Sequence, residues 1–230
     1  MILFTEIFQR AVNLFDDPDI RENYYLNPVG FQKQMLPFLI NGKDEITSPT
    51  IIVDELSSIS NPEGFEEEFN GTGEKTYTLS TNPKDGSAFT YKINGEYVAG
   101  YYNHADNTVT FPKIITAEDT CSVAWYFAGA FTSDFNVGLR GDFPRSVFLE
   151  KMKEILAHAT VCAWAEQEKN RALEFRNILS DADMTFYSPA NSIKSKTEWH
   201  HSLMTEMDTL LSELNWRIFS TPNGGSRFGK

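Results

Sequence analysis

Pro144-Arg145-Ser146-Val147-Phe148-Leu149-Glu150 opens the stretch that decides the fold, residues 144–215. Apolar residues recur at Phe148, Met152, Ile155, Leu156, Ala159, Cys162 and Ala163. That spacing of three and four lines one face of a helix. Pro144 stands at the start, where a missing N–H costs nothing. The pattern runs to about Leu179, which predicts a helix roughly 50 Å long at ~1.5 Å per residue. A second pattern carries Ile193, His200, Leu203, Met204, Met207, Leu210, Leu211 and Leu214. Ser180-Asp181-Ala182-Asp183 and Ser188-Pro189 punctuate the gap. The expectation is an antiparallel helical hairpin, longer than a small domain needs for its own core. Phe148, Ile155 and Leu156 should face Leu203, Met207 and Leu210 across it.

Upstream the period changes twice. Phe4, Ile7, Phe8, Ala11, Val12, Leu14 and Phe15 share a broad helical face over residues 2–15, and Asp16-Asp17-Pro18 stops it. A short helix or turn follows around residues 20–25. Pro28 opens a third helical pattern with Phe31, Met35, Leu36 and Leu39; Pro37 predicts a kink or break there, and Asn41-Gly42 a C-cap. From Ile51-Ile52-Val53 onward short strand patterns recur, at 65–69, 76–79, 87–93, 96–102, 108–111 and 120–127. Asn94-Gly95 between two of them is a type I′ hairpin signal. The fold class expected is α+β: a helical core with the long antiparallel hairpin and an inserted antiparallel β-sandwich or barrel domain. The expected boundaries are 1–48 for N-terminal helices of the helical core, 49–131 for the inserted β-domain, 132–219 for a loop and the hairpin, and 220–230 for a flexible tail. In that tail Pro222, Gly224, Gly225 and Gly229 dominate, yet it ends in Arg227, Phe228 and Lys230, an aromatic with two cations on a leash.

At 230 residues and 41% hydrophobic the chain can bury a real core. No apolar run nears the ~20 residues that cross a bilayer, so no membrane partner is expected. The start, Met1-Ile2-Leu3-Phe4-Thr5-Glu6, has no basic n-region, and synthesis into cytosol is the expectation. Cys121 and Cys162 are read as two buried thiols rather than a disulfide. Residues 1–143 hold 21 Asp/Glu against 9 Lys/Arg, while residues 144–230 hold 11 of each, so the whole net charge of −12 sits in the first part. Such a surface does not grip phosphates; it is there for solubility or for a basic partner.

Catalytic signatures are missing from the sequence: GxSxG, a P-loop, GxGxxG opening a helix and paired CxxC. No enzyme activity, cofactor or metal is expected. Adjacent His200 and His201 point about 100° apart on a helix and cannot share a metal; His158 with His200 is left as a remote alternative. Glu66-Glu67-Glu68 reads as a solvated face. Glu166 and Glu168 with Lys169 and Arg171 interrupt the apolar stripe midway along the first long helix. They are either solvated local ion pairs or contacts to another subunit. The candidate partner contacts are therefore Glu166, Lys169, Arg227, Phe228 and Lys230. The aromatics Tyr97, Tyr101, Tyr102, Trp125-Tyr126-Phe127, Phe131 and Phe135 exceed what one core face needs. They keep open a second class of function, a glycan- or ligand-binding β-sandwich module on a helical stalk.

Three segments carry a family resemblance. They are Phe4-Thr5-Glu6-Ile7-Phe8-Gln9-Arg10-Ala11 with Leu14-Phe15-Asp16-Asp17-Pro18; Thr108-Val109-Thr110-Phe111-Pro112 followed by residues 121–131; and residues 157–166. With them the chain resembles the head-to-tail connector (adaptor or neck) proteins of tailed bacteriophages. The resemblance implies a virion structural protein of the neck, made in the host cytoplasm. It implies a ring homo-oligomer of about twelve copies beneath the portal protein. Further neck or tail proteins would dock on that ring, and genomic DNA would pass through it without sequence-specific binding. The inserted β-domain departs from the simplest all-helical adaptors.

Overall fold

The computed structural model describes residues 1–46, 62–131, 145–181 and 190–219. The chain divides into two compact units, Met1–Leu36 with Ile59–Phe131, and Pro37–Ser58 with Thr132–Lys230. The fold is α+β, with antiparallel sheets packed as a sandwich and none closed into a barrel.

In the first unit the strands are β1 (Ile2–Leu3), β2 (Glu63–Asn70), β3 (Glu74–Thr78), β4 (Ala88–Ile93), β5 (Glu96–Val98), β6 (Tyr101–Asn103), β7 (Thr108–Ile115), β8 (Thr120–Phe127) and β9 (Ala130–Phe131). One sheet has the order β2-β8-β4-β5, the other β3-β7-β6. Alternation explains the core between them. Tyr91 and Ile93 of β4 and Cys121, Val123 and Trp125 of β8 are buried against Tyr77, Leu79, Val109, Phe111 and Ile115. Asn94 (φ 52°) and Gly95 (φ 83°) close the β4–β5 hairpin with both central residues left-handed, the type I′ turn that the Asn-Gly pair predicts. The single strand expected at 96–102 is two, because the chain changes sheets between Val98 and Tyr101. Gly100 allows the crossing: a Cβ there would lie 2.4 Å from the Tyr91 ring. Pro112 is accommodated within β7 where the β3–β7 register is irregular and no ladder N–H is needed.

The N-terminal helices are α1 (Phe4–Ala11), α2 (Pro18–Leu26) and α3 (Pro28–Glu45). Residues 1–48 are grouped by sequence with the helical core; in the structure residues 1–36 pack on the β-domain instead. Ile2 and Leu3 pair with Phe131 and Ala130, and the Phe4 N–H donates to the Gly129 carbonyl at 3.1 Å. The Val29 N–H donates to Thr90 Oγ1 at 3.1 Å, and Thr90 Oγ1 donates to Asn27 Oδ1 at 3.2 Å. Lys33 Nζ lies 5.3 Å from the Tyr126 ring centroid. These contacts cover the face of β4 and β8 that looks away from the other sheet. Phe31 is the hub of the helices: Phe8, Phe15 and Tyr24 all meet its ring edge-on, at 6.2, 6.3 and 5.1 Å.

Pro37 lies inside α3, where a break was expected, and the division between the two units falls on it. Gly42, expected as a C-cap, is also internal. It is a close-approach glycine: a Cβ there would stand 2.4 Å from the Ala159 carbonyl oxygen.

The second unit is dominated by α4 (Arg145–Asp181) and α5 (Ala190–Phe219), antiparallel neighbours. Four pairs give one register. Lys151 meets Glu213 at 4.0 Å and His158 meets Glu206 at 3.5 Å; the Trp164 and Trp199 rings lie 5.8 Å apart; Glu168 meets Lys196 at 3.3 Å. As the number on α4 rises, that on α5 falls by the same amount to within one residue. Phe148, Met152, Leu203, Met207 and Leu214 are buried, and Leu210 is half-buried. From 155 to 165 every residue of α4 is buried, so the helix is enclosed all round there. Just beyond Ala165, Glu166, Gln167, Asn170 and Arg171 are exposed, while Glu168 and Lys169 are half-buried. Among the described residues no helix is long and apolar enough to cross a membrane.

Candidate functional site

The surfaces available for association follow from which strands lack a neighbour. β2 pairs only with β8, so along its other side, among the described residues, its backbone groups have no strand partner. Alternation splits its side chains into two rows. Glu63, Phe65, Glu67 and Phe69 point toward the other sheet: Phe65 lies 6.3 Å from the Trp125 ring and Phe69 5.1 Å from the Tyr77 ring. Gly64, Glu66, Glu68 and Asn70 occupy the opposite row. Glu63 pairs with Lys84, and the Glu67 carboxylate accepts from the Ser80 N–H and hydroxyl at 2.9 and 3.0 Å. Glu66 and Glu68 form no ion pair among the described residues. Phe65 remains 43% exposed, at the open end of the aromatic row Phe65–Trp125–Phe89, whose members are cross-strand partners.

A second surface is the outward face of β3-β7-β6. Thr76 opposes Thr110, Thr78 opposes Thr108, and Tyr101 and Asn103 continue those rows. None of these six is charged, in a chain of net −12, and Tyr101 is 66% exposed. A shallow cavity of about 410 Å³ lies elsewhere on the sandwich, lined by Ile93, Asn94, Glu96, Val98, Pro112 and Lys113. Asn94 is also tied to Asp119, which fastens the β4–β5 turn to the β7–β8 turn. The Asn94 amide, the Thr116 hydroxyl and N–H, and Lys113 hold the Asp119 carboxyl well below the usual carboxylate range.

Among the described residues no three or more His, Cys, Asp or Glu group as metal ligands. His158 is buried, with Nδ1 3.0 Å from the Glu154 carbonyl and Nε2 facing Glu206. His201 is exposed. Burial, then Lys169, pushes the half-buried His200 down, with Glu166 opposing. Cys121 and Cys162 are free and buried. Burial pushes the Cys162 thiol up to about 12, with Glu45, Asp208 and Glu206 adding to it, so at neutral pH it carries no thiolate for nucleophilic chemistry.

Of the sequence-derived contact residues, Glu166 is exposed and Lys169 half-buried, just past the enclosed band of α4. The local ion-pair reading describes their neighbour Glu168, which binds Arg171 at 2.9 Å and Lys196 at 3.3 Å. Arg227, Phe228 and Lys230 lie outside the described residues. The sequence reading passed over the β2 edge as a solvated acidic face. The signal was available in Glu63-Gly64-Phe65-Glu66-Glu67-Glu68-Phe69, where two phenylalanines fall on one side of the strand. It also passed over Trp216, which is 72% exposed on α5.

The arrangement defines an α+β protein with a sandwich domain and a long helical hairpin. Compared with protein-family models, curated proteins and solved structures, the chain matches none of them.

Proposed function

We propose that the chain is a virion structural protein, a head-to-tail connector that forms a ring beneath the portal of a tailed bacteriophage and presents docking sites to further neck or tail proteins. The hairpin carries this reading. Helices of 37 and 30 residues are built, yet among the described side chains α4 is enclosed only as far as Ala165. Beyond it Glu166, Gln167, Asn170, Arg171 and Leu173 are exposed, a length of helix that a lone domain has no use for. In a ring that length lies against neighbouring copies. The acidic balance of the first part suits a channel through which DNA slides without sticking. The virion neck is the corresponding location.

The test is mass. Twelve copies of a 26.1 kDa chain form a particle of about 310 kDa, the closed cyclic assembly expected beneath a twelvefold portal. Sedimentation velocity of the purified protein, alone and with the portal protein of the same virus, should show that particle or a portal-bound ring. A monomer that ignores the portal at all concentrations would overturn the reading. A second reading, a glycan- or ligand-binding module, rests on the exposed rings of Tyr97 and Tyr101, which stand on the outer faces of the two sheets. It calls for a compact monomer that retains oligosaccharide.

A further inference from the structure

The sequence holds four Asn-Gly pairs, at 41–42, 70–71, 94–95 and 223–224. A glycine after asparagine presents a backbone nitrogen that no side chain shields, the steric condition for attack on the asparagine's own amide carbon. Among the described residues of these pairs, Asn94 is the one whose side chain is hydrogen-bonded at both its nitrogen and its oxygen. Nδ2 donates to Asp119 Oδ1 at 2.8 Å, and Oδ1 accepts from the Thr120 N–H at 2.9 Å. The Asn94 N–H donates to the Thr120 carbonyl at 2.8 Å as well. The β4–β5 turn is thereby latched to the turn between β7 and β8. Asp119 is the centre of the latch. Its other oxygen accepts from the Thr116 N–H and hydroxyl at 3.1 and 2.8 Å, and Lys113 Nζ stands 3.2 Å from the oxygen that Asn94 uses.

We propose that Asn94 is a deamidation site guarded by this latch, and that its conversion releases the β4–β5 hairpin irreversibly. The Gly95 nitrogen gives up its proton to solvent base and bonds to Asn94 Cγ. The Cγ–Nδ2 bond breaks and the nitrogen leaves as ammonia, closing a five-membered succinimide. Water then opens that ring at one of its two carbonyls, to aspartate or to isoaspartate. The balance is one water taken up and one ammonia lost. The fold opposes the first step. Addition at Cγ moves its oxygen and nitrogen out of the plane that Thr120 and Asp119 hold, so both hydrogen bonds must open. The same geometry works against the product. A carboxylate at position 94 sets an acceptor oxygen where the amide donor was, against the Asp119 carboxylate, and Lys113 neutralises one of the two charges. Isoaspartate adds a carbon to the main chain of a two-residue turn whose φ values are 52° and 83°, which breaks the register of Ile93 with Glu96 and Lys92 with Tyr97. Hydrolysis does not return the amide, so the latch does not re-form. Ile93, Asn94, Glu96 and Val98, four of the six residues lining the cavity of about 410 Å³, move with the hairpin, and conversion therefore reshapes that cavity. The site is independent of ring assembly.

The test incubates the full-length protein at mildly alkaline pH, native and in urea. Mass spectrometry of its peptides follows the exchange of amide for acid at each asparagine. Asn94 should convert about tenfold more slowly in the native protein than in urea, because a charge-assisted hydrogen bond and a neutral one must open first. Asp119→Ala removes the partner of Nδ2 and should speed conversion of Asn94 in the native protein by about tenfold. Asn41, inside α3, should stay as slow as in the parent, which separates loss of the latch from general unfolding. Equal rates in native and urea-treated protein, or an unchanged rate in a folded Asp119→Ala protein, overturn the guard. The product is tested by substitution. Asn94→Asp should lower the melting temperature, and adding Asp119→Asn, which sets an amide opposite a carboxylate again, should recover most of the loss. An Asn94→Asp protein that melts as the parent does overturns the release.

Discussion

Gly42→Ala sets helix propensity against packing, and the structure decides the sign. Gly42 is internal to α3, so replacement by alanine alone would favour the helix by roughly 1 kcal/mol. The new methyl carbon, however, would stand 2.4 Å from the Ala159 carbonyl oxygen and 2.5 Å from its carbonyl carbon. Both are backbone atoms of the band of α4 that is buried all round, and no rotamer change moves them. The helices must separate by something near an ångström, and overpacking of this kind costs about 1–3 kcal/mol, with immovable neighbours at the upper end. The balance is a net loss of about 2 kcal/mol. Urea unfolding followed at 222 nm measures it, with the slope checked for constancy. Two controls isolate the cause. Asn41→Ala, exposed on the same helix, should be neutral or mildly stabilising. Ala159→Gly added to Gly42→Ala should rescue nothing, because the clash is with the Ala159 backbone. A Gly42→Ala protein as stable as the parent, or more so, would refute the close approach of α3 and α4.

The other expectations are quickly stated. Leu156→Ala removes a fully buried side chain from the enclosed band, and should cost about 2–5 kcal/mol by denaturant titration. An unchanged melt would take Leu156 out of the core. Trp125 is buried, yet its indole N–H has no partner among the described residues. Trp125→Phe should therefore change stability by no more than about 1 kcal/mol, whereas Trp125→Ala should cost about 3–5 kcal/mol. Asp119 titrates lower in the fold than in the unfolded chain, so its contribution is complete above the unfolded value of about 4 and is lost as pH falls below it. Melting temperatures measured from pH 6 down to pH 2.5 should fall less steeply for Asp119→Asn than for the parent. Parallel curves would remove Asp119 from the acid response.

The elements legible in the sequence are those held by neighbours in the chain. The three-and-four spacing from Phe148 to Ala163 and from Leu203 to Leu214 specifies the two long helices, and antiparallel packing follows from their shared apolar faces. Asn94-Gly95 specifies its turn because both residues must take positive φ and both tolerate it. The acid of Glu66-Glu67-Glu68 was visible too, but its setting was not. Whether a strand lies at an edge or in the middle depends on which distant strand comes to lie beside it. The pairing of β2 with β8 joins residues far apart in the chain, from Glu63 with Phe127 to Asn70 with Thr120. The same holds for Ile2 against Phe131 and for Val29 against Thr90, contacts that take residues 1–36 onto the sandwich although their aromatic stripe would suit any apolar surface. Gly42 shows the limit most plainly. After Asn41 it carries the local signature of a helix end, yet α3 continues to Glu45 because the missing side chain lets a second helix approach. A local pattern states what a segment can do. The partner that selects among those options arrives only with the tertiary fold, since side-chain burial, not backbone propensity, supplies most of the free energy that separates them.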